Sequence, residues 1–187
     1  MASINEFKSR LKGGGARANQ FKVVMNFPAF AGGKDETTEM AFLCSATTTP
    51  GSNVAEVPIA FRGRTLYVAG DRTFDTWSTT VLNDTDFKIY RAVEAWLNGI
   101  NNLETNQGIV NPGSYQVDGH IHHLSRNGNT LKSWTMHGVF PTALPGIALD
   151  YSTNDAVETF DVTWRYQYFE TDLAGSSTSA AGGNPHL

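Results

Sequence analysis

Cysteine is nearly absent from this chain: Cys44 is the only one in 187 residues. A single thiol excludes an internal disulfide framework and a multi-thiolate metal centre, and it fits a reducing compartment. Charge is scarce as well. Asp, Glu, Lys and Arg make up 17% of the residues, and the formal net charge is −4. A nucleic-acid-binding surface is normally basic, so this balance argues against one. No apolar run approaches the ~20 residues of a membrane-spanning helix. The N-terminus lacks the apolar core of a secretory signal. The expectation is a protein made and folded in the cytoplasm, with no membrane partner. Catalytic signatures are missing too: no serine lies in a nucleophile elbow, and no glycine loop cradles phosphate. Gly13-Gly14-Gly15 reads as a helix stop. The reading therefore contains no enzyme and no cofactor.

What is present points to β structure. The length suits one domain with a substantial core. Thr, Ser, Asn and Gly are abundant, a composition that favours strands joined by many turns. Residues 57–84 organise the rest. Two strand-like runs, 57–61 and 65–69, flank Arg62-Gly63-Arg64. Gly70-Asp71-Arg72 then reads as a second corner leading into a third run, 76–82. Gly63 and Gly70 can adopt the positive φ that such corners require.

Before this stretch, Ser3 and Glu6 have capping-box spacing, and Ile4, Phe7 and Leu11 share one helical face. So short a helix needs a surface to lie on, either its own domain or a neighbouring subunit. Phe21, Val23, Met25 and Phe27 predict a half-buried strand. Residues 28–38 predict a hairpin-like loop around Gly32-Gly33, and Met40, Phe42 and Cys44 continue as a second strand with Cys44 buried. Residues 46–56 predict a long exposed segment turning at Pro50-Gly51.

After the stretch comes a helix. Asn83 or Asp84 can cap it, Phe87, Tyr90, Val93, Trp96 and Leu97 form its apolar face, and Gly99 takes the C-terminal glycine position. Residues 101–113 form a loop. Tyr115, Val117 and Ile121 open a strand, and Arg126-Asn127-Gly128-Asn129 predicts a tight hairpin. Residues 130–140 return, Pro141 and Pro145 mark a connection, and residues 147–151 predict a short strand. The last strand places Phe160, Val162, Trp164, Tyr166 and Tyr168 on one face. Residues beyond Asp172 read as a flexible tail. The pattern is mainly β: an antiparallel sandwich or barrel with one flanking helix. Its divisions are an arm at 1–15, a β domain at 16–170 and a tail at 171–187.

Few groups suggest chemistry. His120 and His122 share a strand face and could share a zinc ion, with Asp118 or His137 as a third ligand and His123 pointing away. Polar histidines on an exposed face are the plainer reading. Asp84 and Asp86 begin a helix, where acidic residues suit the dipole. Asp71 and Arg72 suggest a turn brace or an intersubunit ion pair. Trp164, Tyr166 and Tyr168 could form a sugar platform but fit a core better.

One resemblance gathers several of these segments. Val68-Ala69-Gly70-Asp71-Arg72-Thr73-Phe74-Asp75 with Trp77, followed by Val81, Asn83 and Asp84, resembles the signature region of the tail tube proteins of T4-like contractile-tailed phages. Ala16-Arg17, Asn19, Phe21 and Val23 match in the same order before it. Gly138, Phe140-Pro141-Thr142, Leu149-Asp150-Tyr151 and Thr159-Phe160, Val162-Thr163 match after it. The Gly32-Gly33 loop and the Gly/Ser-rich tail depart from the family pattern.

The resemblance implies hexameric rings stacked into a tube, with strands of each subunit joining in a ring-shaped inner barrel. It implies that the partners are other copies of the chain, the tail sheath, the tape-measure protein, and the baseplate and tail-terminator proteins. Genomic DNA would pass in transit without being bound specifically, and the location would be the virion tail. On this reading Arg62, Gly63, Arg64, Gly70, Asp71 and Arg72 are ring-to-ring contacts, with Ile4, Phe7 and Leu11 as further intersubunit candidates. Asp118 and Asp161 are lumen candidates, since like charge keeps phosphates from adhering. Two alternatives remain at this stage. One is the inner tube of a phage-derived injection system carrying protein. The other is a monomeric carbohydrate-binding β-sandwich.

Overall fold

The computed structural model describes residues 3–11, 13 and 15–172. The tail expected beyond Asp172 lies outside the described residues. The elements in chain order are α1 (Ile4–Arg10), β1 (Phe21–Met25), α2 (Lys34–Leu43), β2 (Cys44–Thr47), β3 (Ser52–Phe61), β4 (Arg64–Phe74), β5 (Trp77–Leu82), α3 (Lys88–Ile100), β6 (Val117–Leu124), β7 (Thr130–Ala143), β8 (Thr159–Arg165) and β9 (Tyr168–Thr171). The body strands run in the order β1-β6-β7-β8-β5-β2, with β9 also on β7, and every pairing is antiparallel. The path ends at β1 and β2, so the subunit alone is not a closed barrel.

One strand serves two sheets. The first part of β7 pairs β6 and β9, and its last part pairs β8. Gly138 sits between them with φ 66°, in the left-handed region that favours glycine. A Cβ there would lie 2.8 Å from Gln167 Cγ. Opposite it, the last strand breaks at Tyr166 and Gln167, and Gln167 N–H donates to His137 O at 2.9 Å. The break shifts the alternation, so Tyr166 is buried but Tyr168 is 47% exposed. Tyr168 was expected on the buried face; it stacks on His137 instead.

Three tryptophans hold the layers together. Trp77 on β5 and Trp96 on α3 both pack against Trp164 on β8, with ring centroids 6.0 and 5.6 Å away. All three are fully buried. Each indole N–H is satisfied: Trp77 donates to Thr47 Oγ1, Trp96 to Tyr115 O and Trp164 to Thr79 Oγ1. Burying these donors unpaired would carry a desolvation cost. Ile89, Ala92, Val93 and Trp96 supply the buried stripe of α3.

Several local expectations are corrected. Residues 34–43 form a helix, not a loop and strand. Asp35 and Glu36 occupy its first turn, where acidic side chains suit the dipole. Met40 faces the core while Phe42, two positions on, is 79% exposed. Their spacing matches a strand, but on a helix such neighbours point apart. Cys44 does begin a strand. The segment 46–56 is mostly strand, with β3 starting at Ser52.

The α3 helix starts at Lys88, after the expected position. Asp84 Oδ1 accepts from Lys88 N–H at 3.2 Å, while Phe87 precedes the helix with φ 54°. Gly99 lies inside α3. It is a contact glycine rather than a terminator, since a Cβ would fall 2.4 Å from Phe30 Cε2. Strand β7 runs through Pro141 to Ala143. Proline is tolerated there because the last residues of β7 pair β8 alone, leaving one side of the ladder without a strand partner. Residues 147–151 form no strand, and Asp150 instead accepts from Ser152 N–H and Oγ. Thr171 and Asp172 belong to the body: Thr171 ends β9, and Asp172 N–H donates to Ser133 O.

The Gly138 kink gives a direct test. Gly138→Ala should cost about 1–2 kcal/mol, because the left-handed conformation is strained for any other residue. Urea unfolding of the subunit measures it, and an unchanged midpoint would contradict the role assigned to the kink.

Candidate assembly surface

The stretch 57–84 folds differently from its sequence reading. It holds one turn, not two. Arg62 and Gly63 form a two-residue turn with φ 44° and 82°, the geometry that matches the twist of paired strands. Gly70, Asp71 and Arg72 lie within β4. Val54 pairs with Arg72 and Glu56 with Ala69, so Ala55 opposes both Gly70 and Asp71 in a bulge. Gly70 matters there for its close packing rather than for positive φ. A Cβ on it would sit 3.0 Å from Val57 Cγ2 and 3.1 Å from Ala55 O. Among the described residues no ion pair joins Asp71 to Arg72.

The result is a long β3–β4 hairpin that forms its own two-stranded sheet apart from the body strands. Its root is fixed. Gly51 O accepts from Asp75 N–H and from the Tyr166 hydroxyl, Asn53 donates to Asp75, and Phe74 packs against Tyr166 and Phe169. Beyond the root nearly every residue is exposed. Register decides what each face shows. Val57 pairs with Val68, Ile59 with Leu66 and Phe61 with Arg64; paired residues share a face. Val57, Ile59, Phe61, Leu66 and Val68 thus form one apolar face, each between 45% and 66% exposed. The opposite face carries Glu56, Pro58, Ala60, Thr65, Tyr67 and Ala69. Soluble monomers rarely expose so contiguous an apolar strip, and one that does marks an interaction site. At the tip the Arg62 guanidinium lies 5.4 Å from the Phe61 ring centroid.

A second uncovered face lies on α1. Ser3 caps the helix by accepting from Glu6 N–H at 3.2 Å. Ile4, Phe7 and Leu11 are 71%, 63% and 45% exposed, and no residue of α1 is buried. Of the two partners that the sequence left open, its own domain does not cover this stripe.

The lumen candidates fall on different sheets. Asp118 is on β6, 3.2 Å from His137 Nδ1. Asp161 is on β8 and accepts from Thr80 Oγ1 at 2.6 Å. Both alternate with core residues on their strands, and so point away from the core. The histidines do not assemble a metal centre. His120 and His122 share a face with rings stacked 6.3 Å apart, while His123 donates to Arg17 O at 3.0 Å. Among the described residues no group of three or more His, Cys, Asp or Glu could hold a metal ion. Asp84 accepts from the first N–H of α3 as described, although Phe87 is the residue at the cap position. Lys88 pairs with Glu39 across α3 and α2 at 2.6 Å, and that hydrogen bond raises the Lys88 pKa. Burial pushes the Cys44 thiol up to about 12, only partly opposed by its contact with Ala46 O.

The sequence reading found the tip and missed the apolar face. Its signal was available: apolar residues alternate on both arms around Arg62-Gly63, in register with one another.

The phage tail tube protein family matches residues 16–172. The tail tube protein of Serratia phage KSP90 is 33% identical over 168 residues, covering 89% of this chain and 95% of that protein. Tail tube protein gp19 of Enterobacteria phage T4 is 31% identical over 160 residues, covering 83% and 91%. Among solved structures, a chain of the anti-feeding prophage baseplate superposes with a TM-score of 0.60 at 13% identity, covering 83% of this chain and 94% of that one. A chain of the sheath–tube complex of an extracellular contractile injection system does so with a TM-score of 0.55 at 13% identity, covering 91% and 98%. At these identities the structural likeness establishes the fold.

The histidine face yields a pH test. Burial first, then the charges of His120 and Lys22, lower the His122 pKa against the opposing pull of Asp172. The unfolded chain therefore binds this proton more readily than the folded one. The associated stability is present above about 6.5, the ordinary imidazole value, and is lost as pH falls below it through the lowered folded value. His122→Gln should lose less unfolding free energy than the parent between neutral pH and about pH 5.5. Equal losses in the two proteins would remove His122 as the source.

Proposed function

The chain belongs to the phage tail tube protein family, and from that premise we propose that it assembles as stacked hexameric rings into the inner tube of a contractile tail. Its role is structural. The tube is a conduit for DNA at ejection, it carries no catalytic function, and the tape-measure protein occupies it beforehand. Sheath, baseplate and tail terminator are its other neighbours. Assembly takes place in the host cytoplasm, and the product resides in the virion tail.

The observation that carries this reading is the β3–β4 hairpin. A monomeric binding module has no use for a projecting hairpin with an uncovered apolar face. A subunit that must meet copies of itself does. The open sheet path supports the same conclusion, because unpaired edge strands β1 and β2 can be closed by strands from neighbours. A barrel continuous around the ring removes those edges. The hairpin tip (Arg62, Gly63 and Arg64), the bulge (Gly70, Asp71 and Arg72) and the α1 stripe (Ile4, Phe7 and Leu11) are the intersubunit contacts. Asp118 and Asp161 are retained as alternative lumen candidates, since they lie on different sheets and only one outer face lines the channel. The overall acidity suits a channel that phosphates must not adhere to. DNA rather than protein is the cargo, since the curated relatives are phage proteins.

Negative-stain electron microscopy tests the reading. Rings or hollow tubes are expected from the purified chain, or after addition of a nucleating baseplate. A chain that stays monomeric in both settings would refute it. Ile59→Glu with Leu66→Glu should abolish tubes while leaving a folded monomer, since both side chains are already exposed in the isolated subunit. Charge reversal at Asp71 or Arg72 should weaken ring stacking with the subunit still folded. Normal tube yield from both reversals would remove the bulge from the contact.

A further inference from the structure

The hairpin and α1 each leave an apolar face uncovered, and the two faces match in size. Resting on the assembly reading above, we propose that the α1 stripe of one subunit packs on the apolar face of the β3–β4 hairpin of a second copy.

Both surfaces are incomplete alone. The α1 helix has seven residues, well below the ~12 that an isolated helix needs to persist in water. Its helical state requires a surface, and none of its residues is buried on its own body. The hairpin face has the complementary deficit. Seven helical residues span about 10 Å. From Val57 to Phe61 a strand covers about 13 Å. Two paired strands about 5 Å apart make a strip that one helix can cover. Phe7, the middle of the stripe, then faces the Ile59–Leu66 pair in the middle of the strip.

Charge sets the direction. Glu6 lies in the first turn of α1, and Lys8 and Arg10 lie in its last. The hairpin tip carries Arg62 and Arg64, while Asp71 lies toward its root beside Arg72. Placing the start of α1 near the tip brings Glu6, which also lies 3.8 Å from Arg10 on its own helix, toward Arg62 and Arg64.

The two surfaces are fastened to the body at separate roots, and within one subunit neither covers the other. The segment after α1 is fastened at one end of the body: Arg17 O accepts from His123, and Gln20 O accepts from Leu124 N–H. Leu124 pairs with Thr130, the first residue of β7. The hairpin root is fastened near Tyr166, next to Arg165, which pairs with Phe140. Along β7 these anchor points are about 30 Å apart. A contact between two different surfaces of identical subunits is heterologous, and it propagates into a ring or a filament.

Cross-linking in assembled tubes tests this. Cys44→Ala removes the only native thiol. Lys8→Cys and Arg64→Cys then place thiols on the rims of the two faces and leave the apolar contact intact. A bismaleimide that spans about 10 Å, the usual separation of packed elements, should give cross-links between chains and a ladder of oligomers on a denaturing gel. Tubes that form with no cross-link, or with links only inside one chain, would overturn the pairing and leave the tube reading standing. No rings or tubes from the parent chain, even on a baseplate, would overturn the tube reading and the pairing with it. As a second measurement, Phe7→Gln with Leu11→Gln should raise the protein concentration needed for tube growth about tenfold or more. Its circular dichroism should stay close to the parent's apart from α1. Tube growth at the parent's concentration would overturn the proposal.

Discussion

The packing of Trp77 and Trp96 on Trp164 is the contact on which the body depends. These side chains come from β5, α3 and β8, so they join the helix to the sheet at its most buried point. Each ring brings a polar N–H into that interior, and each finds an oxygen from a different element: β2, the loop before β6, and β5. The cluster therefore fixes registry as well as burying area. A slip of β5 against β8 by one residue would turn Trp77 outward and strand the Trp164 donor from Thr79. With the interior fixed in this way, the strands can carry a kink at Gly138 and a break at Tyr166 without losing their pairing.

The hairpin follows the opposite logic. Its backbone is satisfied by its own ladder, but its side chains are not covered. A two-stranded ribbon is at best marginally stable alone in water. Here its root is clamped by Gly51, Asp75 and Tyr166, which holds it ready for a partner. The subunit thus divides into a self-sufficient interior and projections whose stability depends on assembly. That division fits a structural polymer better than a free-standing receptor, whose binding surface would sit on a rigid scaffold.

Much of this was legible in the sequence, and the misses have identifiable causes. The strands with clean alternation, at Phe21 to Met25 and Phe160 to Trp164, could be read because one face is core and the other is solvent. The Arg62-Gly63 and Asn127-Gly128 turns were legible from their chemistry. Residues 34–43 were misread because Met40, Phe42 and Cys44 satisfy a strand period by coincidence, while the acidic first turn signals a helix. Gly70 and Gly99 were read as punctuation, but both are contact glycines, a role set by atoms distant in sequence. Tyr168 was misplaced because a bulge changes parity without leaving a mark in the sequence. The hairpin's apolar face follows from register, which the two-residue turn and the alternation on both arms specify only when taken together. The family resemblance located the right stretch, and geometry showed that its uncovered apolar face, more than its charged residues, is the feature to explain.

The placement of Asp118 and Asp161 on separate sheets has a consequence for variation. The body has two outer skins, one on each sheet, that share one interior and are joined through β7. Substitutions on one skin can retune its charge, its texture or its affinity for passing polymer without reaching the other, because the tryptophan-centred filling insulates them. A protein built this way can keep one skin suited to what moves past it while the other follows a changing neighbour.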